Sequence, residues 1–159
     1  MPTCRVGFIS ILKSDAGFRQ AIGLLIAVFA ILAVGAAKAA DLTVVVNALR
    51  SATGTVHVAL YRTPESFPKS GAMLEDKVVP ADLAGSRATF GNLTPGRYAI
   101  AVYHDENANN DFDQGIFGLP LEGYAFSNGA TVFFGPPAFD EAAINVDKDT
   151  TTIVIPMGY

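Results

Sequence analysis

At 159 residues, half of them hydrophobic and a tenth aromatic, the chain is long enough for one domain with its own core and too short for two. Its 11 Lys and Arg against 15 Asp and Glu give a net charge of −4 without a basic stripe, which argues against nucleic acid or an anionic membrane as partner. The single cysteine, Cys4, offers no disulfide, so buried apolar area has to hold the fold.

In chain order, the first feature is the unbroken apolar run Ala21–Ala36, preceded by Arg5, Lys13 and Arg19 and followed by Ala36-Ala37-Lys38-Ala39-Ala40. A basic segment, an apolar segment and an Ala-x-Ala site make a secretory signal. The layout predicts a signal peptide over residues 1–39, cleaved before Ala40, and one domain over 40–159 in the periplasm or outside the cell. The competing reading is an uncleaved anchor, which needs about 20 apolar residues; this run has 16. Without residues 1–39 the domain keeps 7 Lys and Arg against 14 acids, a charge of −7, and has no membrane contact.

Leu42–Arg50 and Thr55–Arg62 are β-branched, alternating runs separated by Ser51-Ala52-Thr53-Gly54, which reads as two antiparallel strands joined by a short turn. Val56, Val58 and Leu60 share one face of the second run, the core face. Thr63–Ala72, with two prolines and a glycine, predicts an ordered loop across the end of a sheet. Met73–Val79 and Arg87–Phe90 read as short strands, and Asn92–Gly96 as a turn set by Pro95 and Gly96. Arg97–His104 is the clearest strand. Its residues Tyr98, Ile100, Val102 and His104 face one way and Ala99, Ala101 and Tyr103 the other, which places it centrally. A polar, glycine-rich excursion over Asp105–Ala138 precedes closing strands at Glu141–Val146 and Thr151–Met157. About seven short strands and no amphipathic helix predict an all-β, two-sheet antiparallel β-sandwich.

The segment Leu93-Thr94-Pro95-Gly96-Arg97-Tyr98 resembles a signature of prealbumin-like and carboxypeptidase-regulatory-like sandwiches. A wider set covers most of residues 40–159: Asn92–Tyr103, His104-Asp105-Glu106-Asn107, Phe117-Gly118-Leu119-Pro120, Glu122-Gly123-Tyr124, Phe126-Ser127-Asn128 and Phe134-Gly135-Pro136-Pro137. Together they resemble the bacterial family named domain of unknown function 2141. The resemblance implies a secreted sandwich of prealbumin-like or immunoglobulin-like type and carries no activity. Ala108, Asn110 and Ala125 stand where that pattern usually has glycine, which predicts a differently shaped loop.

The sharpest candidate for chemistry is Asp105-Glu106-Asn107-Ala108-Asn109-Asn110-Asp111-Phe112-Asp113. Oxygen-bearing side chains recur at Asp105, Asn107, Asn109, Asp111 and Asp113, as they do where a loop wraps a hard cation such as Ca2+. Against the EF-hand template, positions one, three, five and nine are filled; position six is Asn110 and position twelve is Ile116 instead of Glu. Glu122 is a candidate distant ligand. The competing reading is a solvated loop whose Asx side chains cap their own turns.

Further ligand candidates are His104, Glu122, Tyr124, Phe126 and Asn128. They support two alternatives to a binding or structural module. One is a hydrolase with His104 as general base beside Asp105 and Glu122; the other is a glycan or peptide binder stacking on Tyr124, Phe126 and Phe134. A deep pocket holding His104 would favour the first, and exposed coplanar rings the second. No recognisable catalytic motif is present: Ser127 lacks a Gly-x-Ser-x-Gly setting, and the Pro156-Met157-Gly158-Tyr159 ending differs from the Tyr-Arg-Gly-Ser of the hydroxyisourate hydrolases.

Overall fold

The computed structural model describes residues 39–147 and 149–159; the signal-peptide reading falls almost wholly on residues 1–38, outside the described residues. Among the described residues are eight strands: β1 (Ala40–Asn47), β2 (Thr55–Tyr61), β3 (Glu75–Pro80), β4 (Ser86–Leu93), β5 (Gly96–Asp105), β6 (Gly123–Phe126), β7 (Ile144–Val146) and β8 (Thr151–Pro156). One helical turn, α1 (Phe139–Ala142), takes the first part of the strand expected over Glu141–Val146. One sheet has the order β4-β1-β8, with β1 and β8 parallel. The other runs β3-β2-β5-β6, all antiparallel, with β7 also paired to β5. The two-sheet β-sandwich is the fold, and Arg97–His104 lies in its central strand.

Strict alternation builds the core. Leu42, Val44 and Val46 of β1, with Phe90 of β4 and Ile155 of β8, pack with Val56, Val58 and Leu60 of β2 and Ile100 and Val102 of β5. Tyr98 joins them, and its hydroxyl donates to the Thr94 carbonyl at 2.6 Å, which locks the Thr94-Pro95-Gly96 turn onto the start of β5.

Two expectations need correction. β1 and β2 do not form a hairpin: β1 pairs with β4 and β8, while β2 pairs with β3 and β5 in the other sheet. Residues 48–54 carry the chain between sheets, with Ala48 left-handed at φ 59° and Leu49 buried. Alternation says which side chains point inward, and it reads the same for two strands in one sheet as for two that face each other. Secondly, the Thr63–Ala72 loop covers the outer face of the five-stranded sheet and not only its end. Phe67 from this loop joins Phe139 and Ala142 of α1 over Ala59, Tyr61 and Ala99, so β2 is buried on both faces. Ser127 pins that cover, since its Oγ accepts the Ile100 N–H at 2.9 Å and donates to the Ala142 carbonyl at 2.5 Å.

Candidate functional site

Successive residues of a strand point to opposite faces, so the end of β5 sends His104 inward and Asp105 outward. Both are fully buried. The Thr53 carbonyl, 2.8 Å from His104 Nε2, is an acceptor only, so Nε2 carries a hydrogen. In the neutral ring Nδ1 accepts from the Tyr159 hydroxyl at 2.7 Å, and that hydroxyl accepts the Arg50 N–H at 3.1 Å. The imidazole thus ties the 48–54 crossover and the chain end to β5, with both ring nitrogens engaged inside the protein. Burial pushes the Tyr159 hydroxyl pKa up.

On the outer side, Asp105 organises the acidic loop. Its Oδ1 accepts the Asn109 N–H at 3.1 Å and its Oδ2 the Asn110 N–H at 2.8 Å. Asn107 Oδ1 accepts the same Asn109 N–H at 3.0 Å, and Asn109 Oδ1 the Asp111 N–H at 2.9 Å. The Asn107 and Asn109 amides donate to Asp113 at 2.7 and 3.2 Å, and the Asp113 N–H donates to Glu122 Oε2 at 3.2 Å. Asp105, Asn107, Asn109, Asp113 and Glu122 are therefore brought together, while Asp111 joins through its backbone and its side chain stays exposed. From the flank, Arg50 forms an ion pair with Glu106, and Ser51 Oγ donates to Glu106 at 2.9 Å. These bonds, Arg50 foremost, lower the Glu106 pKa.

Two residues of the loop that stand where glycine is usual are left-handed, Ala108 at φ 57° and Asn110 at φ 64°. Ala125 sits in β6 opposite Val102, where extended backbone asks for no glycine. Ala108 carries the strain of a left-handed L-residue, about 1–2 kcal/mol. Ala108→Gly is expected to raise stability by about 1 kcal/mol, the remainder being offset by the freer unfolded chain; urea unfolding reads the shift.

The neighbourhood of Asp105 also contains residues that sequence reasoning missed. His57, on the outer face of β2, lies beneath the Tyr103 ring, 4.4 Å between centroids and 14° from parallel. Its Nδ1 is 3.3 Å from Asp76 Oδ2, and its Nε2 is 3.8 Å from Asp105 Oδ2 without a hydrogen bond. Thr55 pairs with Asp105 across the strands. Strand register alone produces this grouping, and no local pattern signals it. Among the described residues, the buried side-chain polar atoms with no hydrogen-bond partner are Thr55 Oγ1, His57 Nε2 and Glu122 Oε1. Burial pushes the Glu122 pKa up; the Asp113 and Glu106 N–H groups oppose this and the charges of Asp105 and Asp113 reinforce it. Burial likewise raises the Tyr103 pKa, helped by Asp76, Asp105, Glu122 and Asp111.

The remaining candidates lie elsewhere. Tyr124 and Phe126, with ring centroids 6.2 Å apart and planes at 69°, line a cleft of about 400 Å³ with Val132, Pro156 and Tyr159; neither His104 nor Glu122 lines it. Their rings are not coplanar. Phe134 is fully exposed beyond them, and Asn128 Nδ2 donates to the Glu141 carbonyl at 2.8 Å.

No group of three or more His, Cys, Asp or Glu among the described residues is arranged to hold a metal by those donors alone. A hard cation here would need the amide oxygens of Asn107 and Asn109 and loop carbonyls as well. Each such oxygen has a second lone pair beyond the one its N–H partner uses. No helix among the described residues is long and apolar enough to cross a membrane.

A two-sheet sandwich with an oxygen-rich loop between two strands of its larger sheet is the class of protein defined. Residues 44–154 match the family model described as "Uncharacterized protein conserved in bacteria (DUF2141)", and the chain belongs to that family. No curated protein and no solved structure matches it.

Proposed function

We propose that this protein is an exported, non-catalytic binding or structural module, acting in the periplasm or outside the cell, whose Asp105–Asp113 loop is set by a calcium ion. The observation that carries the calcium reading is the gathering of Asp105, Asn107, Asn109, Asp113 and Glu122 in one hydrogen-bonded group with Glu122 Oε1 buried and unbonded, on a loop held by bonds from Asp105, Asn107 and Asn109 to backbone N–H groups. These bonds curl the backbone, with a left-handed Asn110 at the position where a calcium loop has its sharp-turn glycine. Support for export is the apolar run and Ala-x-Ala site directly ahead of β1, which starts at Ala40. Support for a module over a hydrolase is His104, enclosed and bonded at both nitrogens.

The test is calcium titration of the purified protein by calorimetry and thermal unfolding. Saturable heat is expected, with stabilisation of about 2.7 kcal/mol at calcium 100-fold above Kd. Asp105→Ala/Asp111→Ala/Asp113→Ala should remove both signals. Neither heat nor shift at millimolar calcium would sink the reading and leave a self-capped loop.

A further inference from the structure

Residues 113–122 form a small hairpin. The Leu121 N–H donates to the Asp113 carbonyl at 3.0 Å, Gln114 bridges Pro120, and the Gly115 N–H donates to the Leu119 carbonyl at 2.8 Å. Its tip carries Ile116, Phe117 and Leu119, all exposed. Its two feet are the carboxylate residues Asp113 and Glu122, and the second foot leads directly into β6.

Glu122 does something unusual for a carboxylate at a loop end. It is only 7% exposed, it accepts the Asp113 N–H and feels the charges of Asp105 and Asp113, and one of its oxygens is buried without a hydrogen-bond partner. Burying a carboxylate beside like charges is costly unless a cation or donors compensate it. The Asp113 N–H satisfies Oε2; the Glu106 N–H also favours the carboxylate, yet among the described residues no donor makes a well-formed hydrogen bond to Oε1. Thr55 Oγ1 and His57 Nε2 also lack hydrogen bonds; Thr55 pairs with Asp105 across the strands, and His57 Nε2 lies 3.8 Å from Asp105 Oδ2. The calcium template places a bidentate Glu at position twelve, which in this chain is Ile116, exposed at the hairpin tip and unable to ligate.

Resting on the calcium reading above, we propose that Glu122 is the carboxylate that completes the site in place of position twelve, and that the ion thereby clamps both feet of the 113–122 hairpin to the end of β5. Ligands before and after the hairpin then share one ion. The posture of its apolar tip becomes dependent on calcium.

The experiment compares wild type with Glu122→Gln, which keeps an acceptor for the Asp113 N–H and removes the charge. Three readouts are taken: calcium affinity by calorimetry, thermal midpoint in chelator and in saturating calcium, and amide exchange at Gly115 and Leu121. Expected is a loss of affinity of about 10-fold or more on removal of one charged ligand. In chelator the variant should unfold at or above the wild-type midpoint, because a buried like charge is gone; in calcium the order should invert. A role confined to accepting the Asp113 N–H would leave the midpoint order the same in both conditions. Calcium should slow exchange at Gly115 and Leu121 in wild type and much less in the variant. Absence of binding by wild type overturns the calcium reading and this proposal with it. Equal affinity of the two proteins overturns the Glu122 assignment alone and leaves the calcium loop standing. Tight binding by wild type with unchanged exchange overturns the clamp.

Discussion

Gly54→Ala is expected to cost about 4 kcal/mol, because an added Cβ would lie 1.9 Å from the Asp105 carbonyl oxygen and 2.8 Å from Glu106 Cα. Both of those atoms are backbone, so no rotamer change relieves the overlap. The left-handed φ of 78° adds strain on top. Gly71→Ala separates the two contributions: φ there is 75°, and nothing lies within 4 Å of its added Cβ. That variant is expected to lose only about 1 kcal/mol, so the difference in urea midpoint between the two isolates the steric part. The consequence extends to function, since the displaced atoms begin the acidic loop. Gly54→Ala should also lose the calcium response, and Gly71→Ala should keep it. Equal losses of stability in the two variants would show that Gly54 is needed for its backbone angle and not for the close approach to β5.

What the sequence revealed follows from how far each signal reaches. β5 was legible because the alternation of Tyr98, Ile100, Val102 and His104, with Pro95 and Gly96 ahead of it, is contained within a few neighbouring residues. The oxygen spacing from Asp105 to Asp113 is likewise local, and so is the capping geometry that the structure adds to it. The sheet partner of β1 was not legible. The residues joining it to β2 have the composition of a turn whether the chain doubles back or crosses to the opposing sheet. The cover on the outer face of β2 was hidden for a related reason. Phe67, Phe126 and Phe139 come from three segments without periodicity, and they converge because a sheet with small residues Ala59 and Ala99 on its outer face leaves room for rings. Thr55 and His57 became neighbours of Asp105 through register, which pairs residues about 50 positions apart. Glu122 lay between these extremes: suggested by its charge, and located by the hairpin that folds it back onto Asp113.

His104 separates the module from the hydrolase by its energetics. A general base is held so that a substrate proton can reach it, and its removal typically costs rate more than stability. The geometry here implies the reverse. His104→Ala would empty the volume of a fully buried ring and leave the Thr53 carbonyl and the Tyr159 hydroxyl without their partner. Cavity formation together with stranded polar groups gives an expected loss of about 3–5 kcal/mol. Tyr159→Phe strands only His104 Nδ1 and the Arg50 N–H, and should lose about 1–2 kcal/mol. Gly123→Ala, whose added Cβ would fall 2.4 Å from the Tyr159 ring, should push that ring away and weaken the same bond from the other side. If His104 is a structural pin, His104→Ala with Tyr159→Phe should destabilise by less than the sum of the single losses, because the bond they share can be lost only once. Additive losses would show that the His104–Tyr159 bond contributes nothing to the pin, and a His104→Ala protein as stable as wild type would overturn the structural role and reopen the hydrolase reading.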